Sequence, residues 1–423
     1  MTLFRIFSFG SAVFAARLIL QFGVQKIIAI HFGPSGIALA GQIQSLIDTI
    51  ASFGANGLRS AAVKFSAEYA RKDDAVWQAY LGNIAVLGVT TTIAVIMVLG
   101  IFAGPLALLV LGTEEFTTAW LCLIVAAPVI AAGRICSGAL NGIGRPKTFL
   151  LIELGTSLGA LTMVLLLGLW AGLEGALAGL IVAHIISNPF GVLAFSRRIG
   201  LKMLRFRVDK VVIKRIVRYP VTNMASGLII PVTYIAVRNA LTDGQGIEYA
   251  GYWQGLLRVS DAYFALSYLV FESYLMPRAS GLSAPRDLAR LTLKVASIMT
   301  LCTALAGGVF YAGRAVFIPL LYTDSFIVIE EIIIWHIVGD VFRIPVLAFI
   351  FLAFAREKHL LFFSIEALRA GIFLISLELF LANSGFAGVG YAYALGNGTV
   401  CLLVLILLVT PARNRIFRKR TGS

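Results

Sequence analysis

Polar and charged side chains recur at helical spacing inside long apolar segments of this chain. In the first segment, Arg17, Gln21 and Gln25 follow one another at four-residue steps, so a helix places them on one face. Lys26 points to the opposite side of an unbroken helix and joins that face only if Gly23 bends the chain. An ionisable group within a membrane helix is costly, and it therefore marks a candidate functional site.

Two further apolar segments carry comparable polar faces. Gln44 and Asp48 share one face of the second predicted helix, and Gln254, Arg258 and Asp261 share one face of the eighth. Lipid would not tolerate three such faces. They therefore predict a water-filled cavity between two halves of the chain.

The chemistry of that cavity follows from its side chains. The planar fork of arginine offers two parallel hydrogen bonds to phosphoryl oxygens, which suits a diphosphate, while amides and hydroxyls suit sugars. The alternative is that Arg258 pairs only with Asp261, one turn further on, and holds its own helix. The candidate substrate-binding residues are Arg17, Gln21, Gln25, Lys26, Gln44, Asp48, Gln254, Arg258 and Asp261.

Two acid–base pairs lie toward the predicted cytoplasmic side of later helices. Asp340 precedes Arg343, and Glu366 precedes Arg369, by three residues in each case. One interpretation is self-neutralising pairs that lock adjacent helices or latch a gate. The other is a coupling site at which a carboxylate titrates. The candidate residues for ion coupling or gating are Asp48, Asp261, Asp340, Arg343, Glu366 and Arg369.

The composition predicts that these residues are positioned by membrane-spanning helices. Hydrophobic residues make up 59% of the 423 residues and charged residues 13%, against about a quarter charged in soluble domains. Apolar runs near the ~20 residues that cross a bilayer as a helix recur throughout, and the alternation of a barrel strand is absent. The predicted helices are 4–31, 37–57, 77–102, 116–133, 148–168, 175–195, 217–238, 249–276, 291–311, 326–352, 361–381 and 387–411.

The distribution of basic residues predicts the orientation. Most of the 35 Lys and Arg residues fall in alternate connections, and Arg314 alone falls in the others. This bias predicts cytoplasmic N- and C-termini in a bacterial inner membrane. It also attributes the net charge of +14 to contact with anionic headgroups rather than to nucleic-acid binding. The predicted domains are a six-helix lobe at 1–200, a cytoplasmic linker at 201–216 and a six-helix lobe with a basic tail at 217–423.

The two halves carry matching motifs. Gly36 to Gly41 with Gln44 returns as Gly246 to Gly251 with Gln254, and Gly172 and Gly175 return as Gly385 and Gly388 at nearly the same shift. Six helices per half give both halves one orientation. The pattern predicts a parallel repeat, with a substrate site between the halves.

Several other chemistries find no support in the sequence. The four cysteines lie far apart, and no cysteine–histidine cluster indicates a disulfide framework or a metal site. No nucleophile–base constellation is recognisable, and the outer loops are short for an enzyme that acts at the outer surface. We therefore predict no cofactor, no catalytic residue and no metal.

Three segments resemble Wzx-type polysaccharide flippases, the O-antigen and lipid III flippases of the multidrug/oligosaccharidyl-lipid/polysaccharide exporter superfamily. The segments are Phe32 to Gly36, Gly251 to Tyr263 and Val338 to Phe342, and the likeness extends over nearly the whole chain. It implies an undecaprenyl-diphosphate-linked oligosaccharide as substrate, such as a lipopolysaccharide O-antigen or enterobacterial common antigen unit. It also implies alternating access and coupling to an ion gradient.

The predicted fold class is thus an all-α membrane protein of about twelve transmembrane helices, in two parallel six-helix lobes around a central cavity. The predicted partners are the lipid-linked glycan and the bilayer, with a polymerase and a chain-length regulator as candidates. The alternative is a multidrug or cation antiporter of the same fold. A membrane glycan polymerase or ligase, or a non-transporting scaffold, is less consistent with the polar helix faces.

Overall fold

The computed structural model describes residues 3–112, 116–145, 147–204, 208–282, 284–356 and 358–410. Every regular element within these ranges is helical. The basic tail predicted between Arg413 and Arg420 lies outside the described residues, as do parts of the 201–216 linker. The prediction of an all-α protein is confirmed.

The chain groups into two compact units, Met1–Ile235 and Ala236–Ser423, and the division falls within α8. The helices are α1 Leu3–Ile50, α2 Asn56–Tyr69, α3 Asp74–Ile101, α4 Ala103–Leu111, α5 Thr117–Gly142, α6 Lys147–Ser187, α7 Pro189–Arg198, α8 Lys210–Gln245, α9 Ile247–Val270, α10 Met276–Gly281, α11 Pro285–Ala312, α12 Arg314–Leu321, α13 Ile333–Ala355, α14 His359–Ser384 and α15 Ala387–Val409.

Two pairs of helices that the sequence separates are continuous apart from a kink. Within α1, Gly33 has a φ of 63° and is followed by Pro34, which has no N–H to donate. Within α6, Gly172 also has a φ of 63°. A single glycine in the left-handed region redirects the chain without a loop. The predicted turns are therefore present as kinks rather than as connections.

The second unit also has glycines with positive φ at the equivalent positions of the repeat. Gly246, with a φ of 110°, separates α8 from α9, and Gly385, with a φ of 58°, separates α14 from α15. The shift from Gly33 to Gly246 equals that from Gly172 to Gly385. A π-helical turn also follows α1 at Ala51–Ala55 and α9 at Phe271–Leu275. The backbone therefore supports the internal repeat.

The second glycine of each repeated pair allows a close approach between helix segments. A Cβ on Gly175 would overlap the carbonyl group of Leu167, and a Cβ on Gly388 would overlap that of Phe380. Both glycines lie just after a kink, where the chain turns back against the preceding segment. The repeated motif therefore pairs a positive φ with a contact that only glycine permits.

We expect Gly388→Ala to lower the free energy of unfolding by about 1–3 kcal/mol, as overpacking of a close contact does. The matched control is Gly371→Ala in α14 of the same unit, where nothing lies within 4 Å of the added Cβ. Thermal unfolding of the purified variants in mild detergent measures the difference. Equal midpoints for the two variants would contradict the close approach.

Eight helices among the described residues are long and apolar enough to cross a membrane. Two of these stretches have 42 and 52 residues. At ~1.5 Å per residue each is about twice the thickness of the hydrocarbon layer, and each contains one of the kinks. The helices α8 and α9 have 36 and 24 residues but are more polar. With two crossings each for the kinked stretches, this set matches the predicted layout of about twelve.

The amphipathic segment after the first kinked helix forms α2. Its apolar side packs on α3, where the Phe65 and Tyr80 rings stack with centroids 4.0 Å apart. The Trp77 indole donates a hydrogen bond to the Ser66 hydroxyl at 3.0 Å. Asp73 caps α3 by accepting the N–H groups of Ala75 and Val76. These contacts attach a polar surface helix firmly to the first unit.

Candidate functional site

Arg17 of α1 forms an ion pair with Glu153 of α6. The Arg17 Nη2 and Glu153 Oε2 atoms are 2.8 Å apart, and the two side chains are 27% and 22% exposed. The Arg17 Nε is buried and has no hydrogen-bond partner. Only one edge of the guanidinium group is therefore used, although the fork could serve a bidentate ligand.

The other predicted residues of α1 differ in how deeply they are buried. Gln21 is exposed and Lys26 is partly buried, while Gln25 is buried and its amide oxygen accepts no hydrogen bond. After the kink, the Gln44 amide donates to the Asp48 carboxylate at 3.2 Å, and Asp48 is exposed. Apart from the buried Gln25, these predicted residues of the first unit are thus exposed or partly exposed.

Arg258 and Asp261 of α9 form the predicted pair one turn apart. The Arg258 Nη1 and Asp261 Oδ2 atoms are 3.2 Å apart, with side chains 26% and 59% exposed. The Arg258 Nε is also buried without a partner. Arg258 therefore repeats the arrangement of Arg17, since one carboxylate oxygen contacts the guanidinium group and a donor is left over.

Gln254 shares a face of α9 with Arg258 but is buried more deeply. It is buried, and its amide oxygen accepts a hydrogen bond from the Arg238 Nη1 at 2.5 Å. Arg238 of α8 is also fully buried. Sequence reasoning missed Arg238, although a charged residue at the end of the seventh predicted helix was a signal. Gln254 joins α8 to α9 within the second unit, a contact that its helical spacing did not predict.

Asp340 of α13 occupies a fully buried nest of hydroxyl groups. It accepts hydrogen bonds from the Ser260 hydroxyl at 2.7 Å, the Tyr393 hydroxyl at 2.8 Å and the Tyr263 hydroxyl. The His336 Nε2 lies 3.8 Å from the carboxylate and 3.0 Å from the Ser260 hydroxyl. The nest joins α9, α13 and α15, so hydroxyl groups from two other helices hold Asp340.

This cluster contains a serine, a histidine and an aspartate but differs from a hydrolytic triad. In a triad the aspartate orients the histidine through Nδ1. Here Asp340 contacts Ser260 instead, while the Nδ1 of His336 is buried without a partner. The His336 ring stacks on Tyr393, with centroids 4.3 Å apart. The geometry therefore does not match a serine nucleophile activated by a histidine–aspartate pair.

Arg343 pairs across two helices, with Glu366 of α14. The Arg343 Nη2 and Nη1 atoms lie 2.8 Å and 3.2 Å from the two Glu366 oxygens. The Arg369 Nε donates to the same carboxylate at 3.0 Å. All three side chains are buried. The predicted pair of Glu366 with Arg369 is therefore present, and Arg343 joins it. Asp340, the predicted partner of Arg343, instead accepts its hydrogen bonds from hydroxyl groups.

Glu153 and Glu366 occupy equivalent positions of the repeat. The shift between them equals that between Gly172 and Gly385, and each carboxylate accepts an arginine from another helix. The environments differ, because Glu153 is partly exposed and Glu366 is sealed. The equal shift was the available signal for Glu153, which is not among the predicted site residues.

Within the ranges that the structure describes, no group of three His, Cys, Asp or Glu side chains is placed to hold a metal ion. The four cysteines are unpaired with one another. The polar groups described in the two units are mainly arginines, carboxylates, amides and hydroxyls. Such a set can bind an oxyanion, a sugar or a proton.

No family model matches the chain. The chain is 24% identical over 374 residues to a protein named lipid III flippase from Escherichia coli (strain K12), covering 88% of this chain and 89% of the relative. This similarity confirms the predicted resemblance to polysaccharide flippases. It also agrees with the prediction of a transporter rather than an enzyme.

Solved structures show the same fold. An inward-facing multidrug resistance transporter of the MATE family, in the MOP superfamily, matches with a TM-score of 0.76 at 16% identity, covering 96% of each chain. The lipid II flippase MurJ, in an inward closed conformation, matches with a TM-score of 0.70 at 14% identity, covering 96% of this chain and 87% of that one. The chain therefore has the fold of a multi-span helical transporter.

Proposed function

We propose that this protein flips a polyprenyl-diphosphate-linked oligosaccharide from the cytoplasmic to the periplasmic leaflet of a bacterial inner membrane. The observation that carries the proposal is the common state of Arg17 and Arg258. Each is about a quarter exposed, each contacts one carboxylate oxygen, and each keeps a buried Nε without a partner. Both guanidinium groups thus retain donors for an oxyanion.

The substrate class follows from the energetics of crossing. A diphosphate and many sugar hydroxyls would each cost several kcal/mol to bring into hydrocarbon without hydrogen-bond partners. Arginines on membrane helices replace the water around the phosphates, while Gln21, Gln44 and Asp48 offer partners for hydroxyls. The polyprenyl tail needs no such polar partners, because it is as apolar as the bilayer. The relative named for lipid III supports a substrate of this kind.

Transport of a labelled polyprenyl-diphosphate sugar in proteoliposomes tests the proposal. Purified protein should expose the labelled head to the opposite leaflet, while empty liposomes and liposomes that contain an unrelated helical membrane protein should not. A rate equal to that of empty liposomes would contradict the proposed activity.

We further propose that transport by alternating access is coupled to a proton gradient through Asp340. Its carboxylate is buried among Ser260, Tyr263 and Tyr393, which donate hydrogen bonds to it. A proton on the carboxylate would replace one of these bonds and remove a buried negative charge. The other charged or titratable groups near it are His336, Arg343 and Asp261.

Asp340→Asn should abolish the response of transport to an imposed pH gradient while allowing slow exchange of substrate between leaflets. The amide preserves the size of the side chain and one accepting oxygen but cannot take up a proton. Flipping in proteoliposomes with and without a pH step measures the effect. Glu378→Gln, at an exposed position of α14, is the matched control and should respond as the parent does. An undiminished response in Asp340→Asn would exclude this coupling site.

The proposed orientation has both termini in the cytoplasm, which places the basic connections against the anionic inner leaflet. Substrate then enters from the side on which lipid-linked sugars are built. A polymerase and a chain-length regulator are the proposed downstream partners, since a flipped unit must be joined to others to form a polysaccharide.

A multidrug or cation antiporter is the second candidate, and the similarity in fold to a MATE-family transporter favours it. Cationic drugs would call for carboxylates that are free to pair with them. Here Glu153, Asp261 and Glu366 each already contact an arginine. Efflux of cationic dyes from cells that express the protein separates the two candidates. Efflux without glycolipid flipping would favour the antiporter.

A further inference from the structure

The ion pair between Arg17 and Glu153 has features that would let a ligand take the place of Glu153. It consists of a single short contact, from the Arg17 Nη2 to the Glu153 Oε2, between partly exposed side chains. The Arg17 Nε next to it is buried and unsatisfied, and an unsatisfied buried donor carries a free-energy penalty. A ligand that engaged both nitrogens would remove this penalty, and Glu153 does not.

The equivalent carboxylate in the second unit, Glu366, differs from Glu153 in its burial and in the number of its contacts. Both oxygens of Glu366 are occupied, by Arg343 and Arg369, and the cluster is sealed from water. Displacing Glu366 would leave two buried cations without compensation. One position of the repeat therefore holds a permanent structural carboxylate, and the other holds a carboxylate that water and ligands can reach.

We propose that Glu153 is a placeholder for the substrate's phosphate group. In the empty transporter its carboxylate neutralises Arg17, and phosphoryl oxygens displace it by binding Nε and Nη2 side by side. After translocation the carboxylate re-forms the pair and favours release. Glu153 thereby sets the balance between affinity and turnover. This inference rests on the proposed function, because it assumes that Arg17 receives the diphosphate.

The surrounding charges agree with this role. His184 interacts electrostatically with Arg134 and with both members of the ion pair, Arg17 and Glu153. With Glu153 neutralised, the region carries Arg17 and Arg134 without a nearby balancing carboxylate from α6. An anion would then bind there more strongly, but its departure would be slower.

The test measures binding and turnover in Glu153→Gln, reconstituted in lipid nanodiscs and proteoliposomes. Undecaprenyl diphosphate without sugar is the binding probe. Glu153→Gln should bind it about fivefold more tightly, the order expected for a partly exposed ion pair, and should flip sugar-bearing substrate more slowly over many turnovers. Glu153→Asp, which keeps the charge on a shorter side chain, should lie between this variant and the parent.

Two further variants show whether the effect acts through Arg17. In an Arg17→Gln background the Glu153→Gln change should no longer alter affinity, because there is no guanidinium group to release. Glu378→Gln removes a carboxylate elsewhere and should bind as the parent does. Unchanged affinity in Glu153→Gln, or a gain that persists without Arg17, would overturn the placeholder role. Thermal unfolding confirms that each variant is folded.

The same variants separate failure of this inference from failure of the proposed function. If no protein, the parent included, binds undecaprenyl diphosphate, the proposed function fails. Inorganic pyrophosphate then serves as the probe. Tighter pyrophosphate binding in Glu153→Gln that depends on Arg17 would still support a phosphoryl placeholder, and its absence would refute one.

Discussion

Replacing Glu366 with Gln will sharply reduce the yield of folded protein and lower its unfolding temperature. Both Glu366 oxygens hold buried guanidinium groups, and the side chain is only 1% exposed. The neutral amide keeps the shape but leaves two cations without their counter-charge. Breaking a buried ion pair by removing one partner costs about 3–5 kcal/mol. Thermal unfolding in mild detergent, together with the monodisperse fraction after purification, measures the loss.

The control for this prediction comes from the repeat itself. Glu153→Gln makes the same chemical change at the equivalent position, where the ion pair is partly exposed and single. Such pairs contribute about 0–1 kcal/mol, so its unfolding temperature should stay close to that of the parent. A triple change of Arg343→Met, Glu366→Leu and Arg369→Met should recover much of the stability, because all the buried charge is then removed. Similar midpoints for the two single variants would contradict the distinction between them.

Arg17→Ala and Arg258→Ala will each cut translocation of the lipid-linked sugar by roughly 10- to 100-fold. Hydrogen bonds to a charged group contribute about 1.5–3 kcal/mol, and each 1.4 kcal/mol is about tenfold in an equilibrium or rate. Both side chains are partly exposed, so their removal leaves no sealed charge behind. Membrane insertion and thermal stability should therefore change little. Initial rates in proteoliposomes, normalised to the amount of folded protein, measure the effect.

Lysine variants sharpen the interpretation of these losses. Arg17→Lys and Arg258→Lys keep the positive charge but lose the planar fork that can bind two oxygens at once. We expect rates between those of the parent and of the alanine variants. If lysine restores the full rate, the arginines act as simple point charges rather than as bidentate ligands. Parental rates in both alanine variants would remove Arg17 and Arg258 from the proposed substrate path.

The two predictions concern opposite uses of the same chemistry. Arginine–carboxylate contacts occur in both units, but exposure separates their roles. A sealed and saturated cluster contributes to the fold, because its charges compensate one another. A partly exposed contact with a spare donor can exchange its partner for a ligand. This contrast explains why the residues that matter most for stability differ from those proposed to bind substrate.

Local properties of the chain were sufficient to predict the helices, their membrane location and the internal repeat. Apolar runs identify the spans, because the bilayer requires continuous apolar length. The glycine pairs at Gly172 and Gly385 identify the repeat, because the backbone needs glycine there. The pair of Arg258 with Asp261 was also predictable, since both residues lie on one helix and helical geometry alone brings them together.

Contacts between helices needed the folded protein. Arg17 meets Glu153, Arg238 meets Gln254, and Arg343 meets Glu366 across segments that are distant along the chain. The hydroxyl groups around Asp340 of α13 likewise come from two other helices, α9 and α15. Residue spacing determines which face of a helix a side chain occupies, but not how that helix is rotated or which neighbour it packs against. The packing of the helices therefore decided which charges are paired, which are buried and which stay within reach of a ligand.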